Sequence, residues 1–187
     1  MLFRSYAHNG AAAISVLPDE KFFWGKVSYL SAIRQVVNIP ILRKDFIIDA
    51  YQVFESRSCG ADAILLIVAI LTPVKLKRLL ELSHSLGMVC LVEVHNEKEL
   101  NIALQTDACI IGINNRDLMT MITDVHTTER LRPLIPAGIL TVSESGIKGR
   151  HDMERLGSLR INAALVGETL MASPDIAGKM KELLGQG

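Results

Sequence analysis

The sequence predicts an α/β fold of the parallel barrel type, on three observations. Short apolar runs rich in Val, Ile and Leu alternate with longer amphipathic stretches, the pattern of parallel strands buried on both faces and joined by crossover helices. The connections between runs are short, as in βα units. Polar groups close almost every run: Arg43-Lys44-Asp45, Glu93, Asn114-Asn115-Arg116, Ser143-Glu144-Ser145 and Gly167-Glu168. A barrel gathers reactive groups at the C-terminal ends of strands from many units, whereas a doubly wound sheet concentrates its site at one crevice.

Taken in order, seven strands are expected at 12–17, 40–43, 63–68, 88–94, 109–114, 139–143 and 162–167. Helices are expected at 26–37, 50–58, 73–86, 97–105, 127–134, 150–156 and 174–184, with the first ten residues reading as the tail of another. Thr72-Pro73 places a capping hydroxyl before proline at a first helical position, and Ser173-Pro174 repeats the device. Gly60 and Gly87 sit where C-terminal caps belong. No linker or low-complexity segment interrupts the pattern, so residues 1–187 are expected to form a single domain.

Composition narrows the function. The 187 residues are 49% hydrophobic, enough for a sizeable core, and 20 basic side chains balance 20 acidic ones. A net charge of zero gives no sequence-wide field for nucleic acid or an anionic membrane, so the expected partner is a small molecule held at a local site. No run of about 18 apolar residues occurs, and the start MLFRSYAHNG is unlike a secretory leader. A cytoplasmic protein is the expectation. Cys59, Cys90 and Cys109 show no metal-site spacing and are expected to be buried reduced thiols, and the five histidines share no common site. Metal binding is not expected.

Lys44 and Glu93 lead the candidates for chemistry. An ammonium and a carboxylate buried close together can exchange protons with a substrate at neutral pH once their pKa values are tuned. The bland alternative for Lys44 is a salt bridge to Asp45 or another strand-end acid. Glu93 follows the apolar run Met88-Val89-Cys90-Leu91-Val92, and an acid there needs a partner or a task to offset desolvation. Asn114-Asn115-Arg116 offers amide and guanidinium donors, or simply caps its own loop. Ser143-Glu144-Ser145-Gly146 and Val166-Gly167-Glu168-Thr169 place glycine-bearing turns after the last two strands, where barrels commonly hold phosphate on backbone N–H groups. Ordinary tight turns would explain either one alone. Phe22, Phe23 and Phe46 lie just beyond strand ends, where packing is the first reading and an aromatic substrate the second.

Seven strings then resemble, in order, the indole-3-glycerol-phosphate synthase family: AISVL-x-DEKFF, IPILRKDFIID, ADAILLIVA, LVEVH, IGINNRDL, VSESGI and LVGETLM. The resemblance runs from about Asn9 to Leu184. It implies a (β/α)8 TIM barrel lacking the first β-strand and leading helix, with seven βα units present. It also implies a cofactor-free carboxy-lyase of tryptophan biosynthesis. That enzyme converts 1-(2-carboxyphenylamino)-1-deoxyribulose 5-phosphate into indole-3-glycerol phosphate, carbon dioxide and water. Carried over by position, Lys44 is the general acid toward the ribulose oxygen and Glu93 the general base of dehydration, while Asn114 and Glu144 orient substrate and stabilise charge. Arg116, Ser145, Gly146, Gly167 and Glu168 fall where the family holds hydroxyls and phosphate. Phe23, Phe46, Leu65 and Leu165 fall where it lines the anthranilate pocket.

Two departures accompany the match. The family's leading helix, its first strand with an acid and a substrate-carboxylate lysine, and a serine-containing loop have no counterpart in these residues. Pro18 and Trp24-Gly25-Lys26 replace the threonine and small residues usual there. Unpaired strand edges near Ala12 and Asn162 predict aggregation or self-association. A noncatalytic remnant that keeps a phosphate-binding surface is the alternative to an active synthase.

Overall fold

The computed structural model describes residues 2–186, and the chain divides into two units, Met1–Val92 and Glu93–Gly187. The first unit contains α1 (Leu2–His8), β1 (Ile14–Val16), α2 (Glu20–Phe23), α3 (Ser28–Arg34), β2 (Ile41–Arg43), α4 (Ala50–Ser58), β3 (Ala63–Ile67) and α5 (Pro73–Ser85). Strand β4 (Val89–Val94) runs from it into the second unit. β1 pairs in parallel with β2, Ile14 opposite Ile41, and β2 with β3, Leu42 opposite Ala63. Ile14, Val16 and Ile41 bury against Leu30, Ile33 and Val37, the apolar side of α3 and the turn after it. Each such side chain removed from water contributes about 1.5–3 kcal/mol.

The helix ends follow from local chemistry. Asp49 accepts from the Tyr51 amide while Gln52 accepts from the Asp49 amide, which fixes the start of α4. Thr72 Oγ1 accepts from the Lys75 amide and Pro73 opens α5, as the sequence predicts. Gly60 and Gly87 follow α4 and α5 with φ of 89° and 73°, the left-handed cap position expected of them.

The second unit contains α6 (Glu97–Ala103), β5 (Ile110–Asn114), α7 (His126–Leu131), β6 (Leu140–Glu144), α8 (Arg150–Ser158), β7 (Ala163–Leu165), α9 (Glu168–Met171) and α10 (Ile176–Leu184). β5 and β6 are parallel from Ile110 opposite Leu140 to Asn114 opposite Glu144, and β6 and β7 are parallel with Glu144 opposite Leu165. The strands stand in chain order from β1 to β7. Seven strands alternating with helices in that order are the seven βα units of a (β/α)8-type barrel fold. Among the described residues, no helix is long and apolar enough to cross a membrane.

Some expectations need correction. The cap of the last helix is Asp175, whose carboxylate accepts from the Gly178 amide, while Ser173 bonds Asp175 itself. The helix therefore starts at Ile176, two residues beyond Pro174. Helices α2 and α9 are single turns of four residues, too short to leave a periodic signal in the sequence. Of the three thiols only Cys90 is buried; Cys59 is half-buried and Cys109 exposed. Cys109 directly precedes β5, outside its buried run.

Candidate active site

In the first unit, the end of β2 separates two neighbouring cations. Arg43 is 2% exposed and faces α4, pairing with Asp45 at 3.0 Å and Glu55 at 2.8 Å and donating to Ser56 Oγ. Side chains alternate across a strand, so Lys44 takes the other face. Its amide extends the pairing of β2 with β1 by donating to Val16 O at 2.8 Å. Asp45 thus partners Arg43. Lys44 is half-buried rather than buried, because it stands one residue past the strand.

Phe46 follows, with its amide donating to Asp45 Oδ1 and its carbonyl accepting from Gln52. Its ring meets Phe22 edge to face at 5.6 Å, and Phe22 and Phe23 keep 63% and 50% of their surface exposed. Leu65 is buried in β3. Trp24, at φ 52°, caps α2 with 86% of its surface exposed. Gly25 beside it is required: a Cβ there would stand 2.1 Å from Leu17 O.

In the second unit, Glu93 and Glu144 are each 1% exposed at the ends of β4 and β6. Asn114 lies opposite Glu144 in register, and its Oδ1 accepts from Ser145 Oγ at 2.8 Å and from the Arg116 amide at 3.0 Å. The amide oxygen is thereby committed, which leaves the NH2 group as the donor available to a ligand. Ser145 and Gly146 both take left-handed conformations, with φ of 66° and 79°. A Cβ on Gly146 would lie 2.8 Å from Thr123 and 2.9 Å from Val125, so the turn after β6 demands glycine. Arg116 donates to Glu168 at 2.7 Å, joining the loop after β5 to the first turn of α9. Gly167 caps α9 with open space around it, and Leu165 is half-buried.

Two residues take roles that the sequence left open. Asn115 is buried and donates to Ser143 Oγ and Ser145 O, while its Oδ1 accepts from the amide and hydroxyl of Thr128. It is the structural partner of Asn114, as Arg43 is of Lys44. The second is His95, whose Nε2 lies 3.3 Å from Glu93 Oε1 and whose Nδ1 lies 2.9 Å from Glu99 Oε2. Burial disfavours the charged ring, but hydrogen bonds and charge from Glu93 and Glu99 outweigh it and push the imidazole pKa up to about 9. Spacing could have flagged it: His95 is two residues past Glu93, on one side of an extended chain, and four before Glu99. Among the described residues, no cluster of three or more His, Cys, Asp or Glu could hold a metal ion.

Carboxylates, a carboxamide and cations at the ends of parallel strands in both units define an α/β-barrel-type enzyme equipped for acid–base chemistry. Comparison with known proteins makes this specific. The family model for indole-3-glycerol phosphate synthase matches residues 2–183, and the chain belongs to that family. It is 60% identical over 182 residues to the indole-3-glycerol phosphate synthase of Dehalococcoides mccartyi, covering 96% of this chain and 70% of that protein. It is 51% identical over 178 residues to that of Endomicrobium trichonymphae, covering 95% and 69%. Solved structures share the fold at low identity. They include the Salmonella typhimurium 3-hexulose-6-phosphate synthase (TM-score 0.82, 13% identical, 98% of this chain and 89% of that one). Another is the Pyrococcus furiosus thiamine phosphate pyrophosphorylase (TM-score 0.75, 16% identical, 98% and 86%).

Proposed function

We propose that this chain acts as an indole-3-glycerol-phosphate synthase, a carboxy-lyase of tryptophan biosynthesis. It closes the five-membered ring of 1-(2-carboxyphenylamino)-1-deoxyribulose 5-phosphate and releases carbon dioxide and water. The observation that carries this reading is family membership across residues 2–183 with Lys44, Glu93, Asn114 and Glu144 all present at their motif positions.

Ring closure joins the aromatic carbon bearing the carboxylate to the ribulose carbonyl carbon. Lys44 is the general acid toward the ribulose oxygen, protonating the carbonyl or the hydroxyl derived from it. Carbon dioxide leaves and its bonding pair returns to the aromatic ring. The hydroxyl then departs as water, and Glu93 takes the proton shed as the new ring becomes aromatic. Asn114, its oxygen committed to Ser145 and Arg116, presents N–H donors to the substrate, and Glu144 stabilises positive charge on the anilino nitrogen. Phe23, Phe46, Leu65 and Leu165 line the anthranilate side. Ser145, Gly146, Gly167, Arg116 and Glu168 bind the hydroxyls and phosphate.

Indole-3-glycerol phosphate formation by the 187-residue chain is the direct assay. Lys44→Ala and Glu93→Gln are each expected to lower turnover by about two to four decades, the scale of general acid–base groups. Unchanged turnover in either would remove that residue from its role.

A further inference from the structure

Asn115 ties together three segments of the second unit. Its backbone N–H donates to Glu144 O at 2.9 Å, and its carbonyl accepts from the Asp124 amide at 2.8 Å. Its side-chain NH2 donates to Ser143 Oγ at 3.2 Å and to Ser145 O at 3.0 Å. Its Oδ1 accepts from the Thr128 amide at 3.1 Å and from Thr128 Oγ1 at 2.8 Å. Thr128 stands in the first turn of α7, where Val125 at the cap position has no side-chain oxygen to offer. Asn115 supplies that acceptor from the end of β5.

The backbone groups in this set decide which way the amide lies. An N–H can only donate and a carbonyl can only accept. A flipped amide would therefore set its NH2 against the Thr128 N–H and its oxygen against Ser145 O. The hydroxyls then fall into a closed ring. Thr128 gives its proton to Asn115, so Ser143 gives its own to Thr128 at 2.8 Å, and Asn115 donates to Ser143. All three residues are buried, so water does not compete for these bonds.

The consequence lies one peptide further on. Ser145 holds a φ of 66°, a left-handed conformation that a residue with a Cβ keeps only where its surroundings hold it. Asn115 provides that hold at Ser145 O. In a trans peptide the C=O and the N–H point in opposite directions. A Ser145 carbonyl drawn toward buried Asn115 therefore aims the Gly146 N–H away from the buried network. Among the described residues that N–H meets no acceptor. Thr123 and Val125 close the space beside Gly146, which keeps the turn from swinging to that side.

We infer that Asn115 is a positioning residue for the phosphate end of the site: by holding Ser145 O it aims the Gly146 N–H, and it couples the start of α7 to phosphate affinity. The inference rests on the proposed phosphate role of the Ser145–Gly146 turn. Asn115 acts through the peptide between those two residues and touches no substrate itself.

Inorganic phosphate titrated into the 15N-labelled 187-residue chain, and followed at the Gly146 amide by NMR, tests it. Asn115→Ala is expected to raise the phosphate Kd by about tenfold, the scale of one lost directing hydrogen bond. Asn115→Ser keeps a hydroxyl that can accept from Thr128 but is too short to reach Ser145 O. It is expected to raise the Kd equally, and it stands in if Asn115→Ala does not fold. Thr128→Val removes a hydrogen bond from the same buried ring yet leaves Asn115 on Ser145 O. Its urea midpoint is expected to fall while its phosphate Kd stays within about twofold of the unsubstituted value. A purely structural Asn115 would leave phosphate affinity unmoved in its variants, or moved equally in Thr128→Val, and either result would overturn the inference. The unsubstituted chain separates the two levels. A Gly146 amide that does not respond to phosphate would remove the proposed role of the turn and this inference with it. A responding amide with unchanged affinity in the Asn115 variants would remove this inference alone.

Discussion

The ends of β2 and β5 solve one problem with different materials. Each presents two adjacent polar residues, and strand alternation sends one toward the covering helix and the other to the opposite face. At β2 the helix-facing member is charged: Arg43 is buried in ion pairs with Asp45 and Glu55. At β5 it is neutral: Asn115 is buried among Thr128, Ser143 and the Ser145 carbonyl. The residue beside each, Lys44 or Asn114, is the one assigned to the substrate. The same chemistry type therefore occupies both faces, and only direction distinguishes structure from function.

The two anchors should fail by different amounts. Arg43→Ala leaves Asp45 buried without its cation, and removing one partner of a buried ion pair typically costs about 3–5 kcal/mol. Urea unfolding of this variant is expected to show the largest loss of any strand-end substitution. Asn115→Ala leaves neutral groups unsatisfied, at about 1–3 kcal/mol, read from the same titration. Comparable losses would mean that charge does not matter at these positions. A pH-dependent effect concerns His95. Its folded pKa stands near 9 against an ordinary 6.5, so the stabilisation is complete below pH 6.5 and is lost as pH rises toward 9. The urea midpoint is expected to fall across that window, and His95→Asn is expected to flatten the fall. A slope of the opposite sign would contradict a protonated ring.

Much of this was legible in the chain. All seven strands were, the most buried of them, such as β3, because such strands leave runs of Val, Ile and Leu, and α4 falls where Asp49 and Gln52 place it. The strand-end polar residues were visible as a group. Their division was not: Arg43 and Lys44 are alike in sequence, and which one pairs with Glu55, twelve residues on in α4, is set by tertiary packing. His95 was passed over with the other histidines, although its spacing from Glu93 and Glu99 is visible in the chain. The Ser173-Pro174 signal misled because Asp175, one residue on, is the better acceptor for the Gly178 amide. Trp24 departs from the family's small residues yet lies on the surface at the end of α2, and nothing in the first unit explains its choice.

The most direct test of this division pairs Lys44→Ala with Arg43→Ala, measuring unfolding midpoint and indole-3-glycerol phosphate formation for both. The account predicts that Lys44→Ala, under conditions where it is folded, loses about two to four decades of turnover. Arg43→Ala should lose stability yet, under conditions where it is folded, keep turnover within about tenfold. The reverse pattern, an active Lys44→Ala and a stable but inactive Arg43→Ala, would contradict it.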